Sequence, residues 1–166
     1  MDERLSKILA ALVPSLDRAE LRIADSSDPA RIGTTVQGGP KFYELFLVNG
    51  GEHDIARMTM RTGGFATADD EVVKLNESTV EFGTVNAGGA QRLERLDPGI
   101  LDFMLWYQLD LQFSDGTRIA ASFEIPKTYR LRAENYRFCP TLDKKAHLFG
   151  LKPAPPAWEQ NKTRLE

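Results

Sequence analysis

Residues 105–125 read LWYQLDLQFSDGTRIAASFEI, two alternating runs joined by a four-residue turn. Before the turn, Phe103, Leu105, Tyr107, Leu109, Leu111 and Phe113 share one parity; after it, Ile119, Ala121, Phe123 and Ile125 repeat the pattern. A period of two belongs to a strand, whose successive side chains leave opposite faces. Ser114, Asp115, Gly116 and Thr117 supply a polar start and a glycine that tolerates a positive φ, so the stretch predicts an antiparallel hairpin whose turn sets its register. On the other parity, Met104 and Trp106 give way to Gln108, Asp110 and Gln112, predicting a first half covered on both faces and a second half wet on one.

Working outward, FYELFLV (42–48), ARMTMRT (56–62), EVVKL (71–75), STVEFGTV (78–85) and AQRLERL (90–96) read as further short strands. Four glycine pairs, Gly38-Gly39, Gly50-Gly51, Gly63-Gly64 and Gly88-Gly89, separate these runs and read as turns. None has the spacing of a nucleotide-binding loop. Strands joined by turns, without helical crossovers, predict an all-β antiparallel two-layer sandwich.

The run LDPGILDFMLWYQLDLQF, with Pro98 ahead of the strand and Tyr107 inside it, resembles the corner and long strand of immunoglobulin-like or fibronectin type III-like domains. The resemblance spans residues 40–126 and is one of layout. Paired cysteines are absent, and the Asp102 to Tyr107 spacing departs from a tyrosine corner. It implies an immunoglobulin-like scaffold of the kind used for adhesion, assembly or recognition through end loops and sheet edges.

Leu5, Ile8, Leu9, Leu12 and Val13 recur at helical spacing, predicting an amphipathic helix over residues 2–13 that ends at Pro14 and packs on the domain, with a dimer contact as the alternative. The expected organisation is an N-terminal helix and lead-in (1–37), a sandwich (38–126), and a basic, aromatic, proline-containing extension of the same domain (127–166). That extension is expected to be mostly irregular, with one helix over residues 142–149.

At 166 residues the chain buries about two thirds of its unfolded surface without staples. No apolar run approaches the roughly 20 residues of a membrane helix. The acidic start MDE and the lysine at position 7 argue against a secretory signal, and the one cysteine, Cys139, fits a reducing compartment. The expectation is a soluble, cytoplasmic protein.

Charge divides the chain. Residues 126–166 carry 9 Lys or Arg against 4 Asp or Glu, whereas the preceding residues carry 12 against 20. Either the basic extension wraps its own acidic body, or it holds a partner through Tyr129, Arg130, Arg132, Tyr136, Arg137 and Trp158, residue types that interfaces favour. A protein partner is expected ahead of nucleic acid, because the acidic body repels phosphate and no nucleic-acid motif accompanies the arginines. Lys152-Pro153-Ala154-Pro155-Pro156 has a P-x-x-P spacing that suits an aromatic groove or stiffens a tail.

Catalytic signals are thin. Cys139 has His147 eight residues on, without a cysteine-hydrolase signature around it. Glu52-His53-Asp54 offers an imidazole between two carboxylates, but adjacent residues rarely converge on a metal. Phe65-Ala66-Thr67-Ala68-Asp69-Asp70-Glu71 lacks the acid spacing of an EF-hand. No cofactor, metal or catalytic residue is assigned. The expected function is a non-enzymatic protein interaction or assembly module acting through the extension or a sheet edge, with a homo-oligomer as one form of it. The alternatives are a ligand site or active site between sheet and extension, lined by Trp106, Tyr129, Tyr136 and Trp158, or nucleic-acid binding through the extension.

Overall fold

The computed structural model describes residues 3–15, 42–68, 71–126 and 136–156. They form β1 (Ile8–Pro14), β2 (Tyr43–Asn49), β3 (Ile55–Ala68), β4 (Glu71–Phe82), β5 (Ala90–Leu96), β6 (Met104–Phe113), β7 (Arg118–Ile125), β8 (Arg137–Cys139), β9 (Lys144–Gly150) and β10 (Lys152–Pro153). Two five-stranded antiparallel sheets result, in the orders β5-β2-β1-β9-β8 and β10-β7-β6-β3-β4. None of the described helices is long and apolar enough to cross a membrane.

The β6–β7 hairpin matches its sequence signature. Leu105, Tyr107, Leu109, Leu111 and Phe113 are all buried, as are Ala121, Phe123 and Ile125. Gly116 takes φ +91, and the Thr117 N–H donates to Asp115 Oδ1 at 3.0 Å, so the turn residues do what their chemistry suits. Inside, Tyr107 stacks on Phe123 at 4.6 Å between centroids. The inner face of β3 adds Met58 and Met60, while Arg57, Thr59 and Arg61 point out. The unpaired face of β6 is half-buried at Met104 and Trp106, less covered than the alternation implies.

The helix expected over residues 2–13 is not formed by the described residues 3–13. A short 3-10 turn, Leu5–Lys7, leads directly into β1, which pairs Ile8–Pro14 with Asn49–Tyr43 on one side and Leu9–Leu12 with Gly150–His147 on the other. The physical reason is burial on both faces. Ala10 and Leu12 face the inter-sheet core, and Ala11 and Val13 join a second cluster with Val48, Cys139 and Ala146 on the reverse side. A central strand apolar on both faces loses its alternation, and a run such as ILAALV then mimics a helix stripe.

The C-terminal segment is corrected in the same way. Residues 142–149 are not helical: β8 and β9 form a hairpin turned at Asp143 (φ 51), and β9 inserts between β1 and β8. After Gly150 the chain passes through buried Leu151 to the other sheet, where β10 pairs with β7. Residues 137–153 are therefore mostly strand, and the sandwich draws on strands from both sides of residues 38–126. Gly63-Gly64 is not a turn either. It sits inside β3, where a Cβ on Gly63 would lie 2.6 Å from the Trp106 ring and one on Gly64 2.8 Å from the Met104 carbonyl oxygen. Close approach between strands, not chain reversal, explains the pair.

Candidate functional site

EVVKLNESTVEF holds enough β-branched and aromatic side chains to make a strand, and its asparagine and glutamate at positions 76 and 77 mark a fault in it. The structure joins what read as two strands into one, β4. Ser78 lies opposite Thr62 and Leu75 opposite Gly64, so Asn76 and Glu77 together face the single Gly63 in a bulge. Among the described strands β4 is hydrogen-bonded to β3 alone and forms the rim of its sheet. Every residue of it except Leu75 and Phe82 is exposed.

Four of the five large apolar side chains left in solvent among the described residues belong to the β3–β4 hairpin: Phe65 at 41%, Val72 at 61%, Val73 at 44% and Val80 at 39%. The hairpin also outruns its neighbour, since β6 begins opposite Phe65 while β3 continues to Ala68. The outer face around β4 is polar. Arg57 meets Glu81 at 3.0 Å and Arg61 meets Glu77 at 3.2 Å, exposed pairs worth about 0–1 kcal/mol each. Lys74 has no carboxylate partner among the described residues.

The other rims differ. β8 is three residues long, and β5 carries a register shift opposite Leu45 and Phe46. β10 is two residues and includes Pro153, which pairs with Ala121 and has no N–H to offer a further strand. Ala154 then donates its N–H to the Ala120 carbonyl at 3.1 Å, holding the start of the P-x-x-P run against β7. Short, bulged or proline-bearing rims resist strand addition. A long unpaired rim with exposed valines invites it.

Of the residues expected to bind a partner, Tyr129, Arg130, Arg132 and Trp158 lie outside the described residues. Tyr136 is buried, 5% exposed, with its ring edge-on to His147 at 4.5 Å. Burial, and secondarily the nearby Tyr43, pushes the Tyr136 phenol up, and burial holds the His147 imidazole down at about 4. Arg137 is exposed, and its guanidinium donates to the Tyr136 carbonyl at 2.9 Å. Trp106, on the outer face of its sheet over Gly63, does not meet Tyr136, so the described part of the expected aromatic pocket is not assembled.

Cys139 and His147 are not a catalytic pair. Cys139 lies opposite Lys144 and shares its face with Ala146, so His147, one residue on, points to the other side of the sheet. At the end of the sandwich, Arg4, Lys7, Asn49 and His53 border an open cleft of about 360 Å³. Asp54 there accepts the Ala87 N–H at 2.7 Å, and no cluster of three metal-ligating side chains occurs among the described residues. Arg4 forks onto Asp115 and holds its carboxyl well below the usual range. Sequence reasoning missed Asn49. It is buried at the end of β2 and donates to the His53 and Val85 carbonyls while accepting from Gly51 N–H, so it fixes the β2–β3 loop. Its signal was a polar residue closing an apolar strand just before two glycines. Between the sheets the Glu94 carboxylate and the Tyr107 hydroxyl are buried side by side; burial foremost raises both groups, and the neighbouring Glu94 charge raises the Tyr107 phenol further.

No protein-family model matches the chain, and no curated protein does. Among solved structures it is similar to Spo0M, the sporulation control protein of Bacillus subtilis, at 14% identity and a TM-score of 0.23, over 72% of this chain and 62% of that one. The chain thus spans less than two thirds of the Spo0M chain. A likeness of that size carries no argument.

Proposed function

We propose that this protein is a non-enzymatic interaction module that engages a protein partner by adding a strand to β4. The observation that carries the reading is the twelve-residue rim, exposed along its length and bearing Val72, Val73 and Val80, in a sheet whose opposite rim ends in proline. Strand addition draws affinity from main-chain hydrogen bonds and specificity from alternate side chains, and β4 offers both. Its charged residues, Glu71, Lys74, Glu77 and Glu81, suppress indiscriminate pairing while leaving room for a complementary strand. An immunoglobulin-like scaffold acting in a reducing cytoplasm is part of the same proposal, supported by the two-sheet layout and by a single, buried cysteine. The extension route keeps one described foothold, exposed Arg137 and Phe138 on β8.

The test is a photo-crosslinking residue placed in turn at Val80, Phe138 and Lys152, with adducts from native lysate identified by mass spectrometry. Strand addition expects adducts at Val80 well above those at Lys152 on the closed rim. Adducts at Phe138 alone would move the interface to the extension, and equal labelling at all three would overturn both.

A further inference from the structure

The order of residues along β4 suits one partner in particular. We infer that β4 pairs antiparallel with the β4 of a second copy, about a two-fold axis at Ser78, joining two five-stranded sheets into one. This rests on β4 being a docking rim and names what docks there.

Residues facing each other across an antiparallel ladder must leave the same face of the sheet. β4 would fail that condition for many self-pairings, but its bulge shifts the alternation by one residue. Lys74, opposite Phe65, and Glu81, opposite Thr59, therefore both point to the outer face. Leu75, opposite Gly64, and Val80, opposite Met60, both point to the inner one. With the axis at Ser78 and the bulge residue Asn76 set aside, Lys74 falls opposite Glu81 of the second copy, Leu75 opposite Val80 and Val73 opposite Phe82.

Each pair occurs twice by symmetry. Two opposite-charge contacts and four apolar ones result, with no like charges directly opposed. The arrangement gives Lys74 the carboxylate that it lacks among the described residues, and it covers Val73 and Val80, which stand in solvent in the single copy. Because the same patch serves both copies, the contact is isologous and closes at a dimer. Pro153 on the opposite rim keeps the joined sheet from growing at its ends.

Sedimentation velocity of the full chain across the micromolar range tests the inference. The unmodified protein is expected to be a dimer. Lys74→Glu and Glu81→Lys should each weaken it on the order of tenfold, since each sets like charges opposite one another at two places. The double exchange K74E/E81K should restore it, and thermal unfolding of each variant checks the fold. A monomer throughout, a dimer indifferent to both single reversals, or a double variant as weak as the singles overturns the inference. If the chain is monomeric while Val80 still crosslinks to another protein, self-pairing fails and strand addition stands. If Val80 gives no adduct as well, both fail.

Discussion

The β3–β4 hairpin and the C-terminal strands have exchanged the places that their sequences suggest. Residues 71–82 lie in the middle of the chain and in the strand-rich part of the sequence, yet they form the rim of a sheet and have one neighbour among the described strands. Residues 137–153 read as part of a basic, aromatic and mostly irregular extension, yet β9 lies inside its sheet beside β1, and β10 closes the second sheet. β9, flanked on both sides, and β10, on the other sheet, tie the two layers together through one short segment, whereas β4 is flanked on one side among the described strands and leaves its outer edge exposed.

Ending the chain after Cys139 is the harshest way to test that contrast. It removes β9 and β10, strips one side of β1, and should abolish cooperative unfolding, a loss on the scale of the roughly 5–15 kcal/mol that holds a domain together. Deleting residues 67–72 from the hairpin tip should leave the transition in place. Circular dichroism during urea titration reads both, and a truncated chain that still melts cooperatively would break the comparison.

A milder probe uses His147. Its folded pKa is depressed from 6.5 to about 4 by burial, so the unfolded chain takes up a proton first as pH falls. The contribution of the neutral ring to stability is thus full above pH 6.5 and lost as pH drops toward 4, by up to about 3 kcal/mol. His147→Phe should flatten that part of the pH profile of unfolding free energy. An unchanged slope would mean that β9 opens to water more readily than its burial implies.

Gly64→Ala tests what holds the rim in place. The new methyl would sit 2.8 Å from the Met104 carbonyl oxygen and 2.9 Å from Leu75, forcing β3 away from β6 or β4. A loss of about 1–3 kcal/mol in urea unfolding is expected, with amide exchange accelerating more in β4 than in β9. Val72→Lys should be the gentlest, within about 0.5 kcal/mol, because that side chain is 61% exposed. A larger loss would show that the rim is already covered in the monomer.

How legible these regions were depends on how many faces of each strand are wet. β6 and β7 could be read because one face is apolar and the other alternates with polar groups, and Gly116 marked their turn. β1 misled because Ala10 to Val13 are buried on both faces. β9 misled because KKAHLFG puts cations beside small and aromatic residues without a clean period, although Ala146 and His147 are both buried. β4 announced itself as strand but not as a rim, since position in a sheet depends on pairings that no local pattern encodes. Gly63 and Gly64 read as a turn because composition cannot distinguish chain reversal from a neighbouring ring pressed against the backbone. Among the expected contact residues, Tyr136 turned inward and Arg137 outward, as alternation along an extended segment dictates.

The pairing of Leu9 with Gly150 also sets a schedule. At about 5–20 residues per second, β1 leaves the ribosome on the order of ten seconds before the strand that completes its flank exists. During that interval β2 is its only ladder partner among the described strands, and one open ladder edge beside a run of apolar side chains is a hazard for aggregation. Slow, late closure follows from so long a loop. Newly made chains should therefore depend on chaperone shielding in proportion to how slowly they are translated.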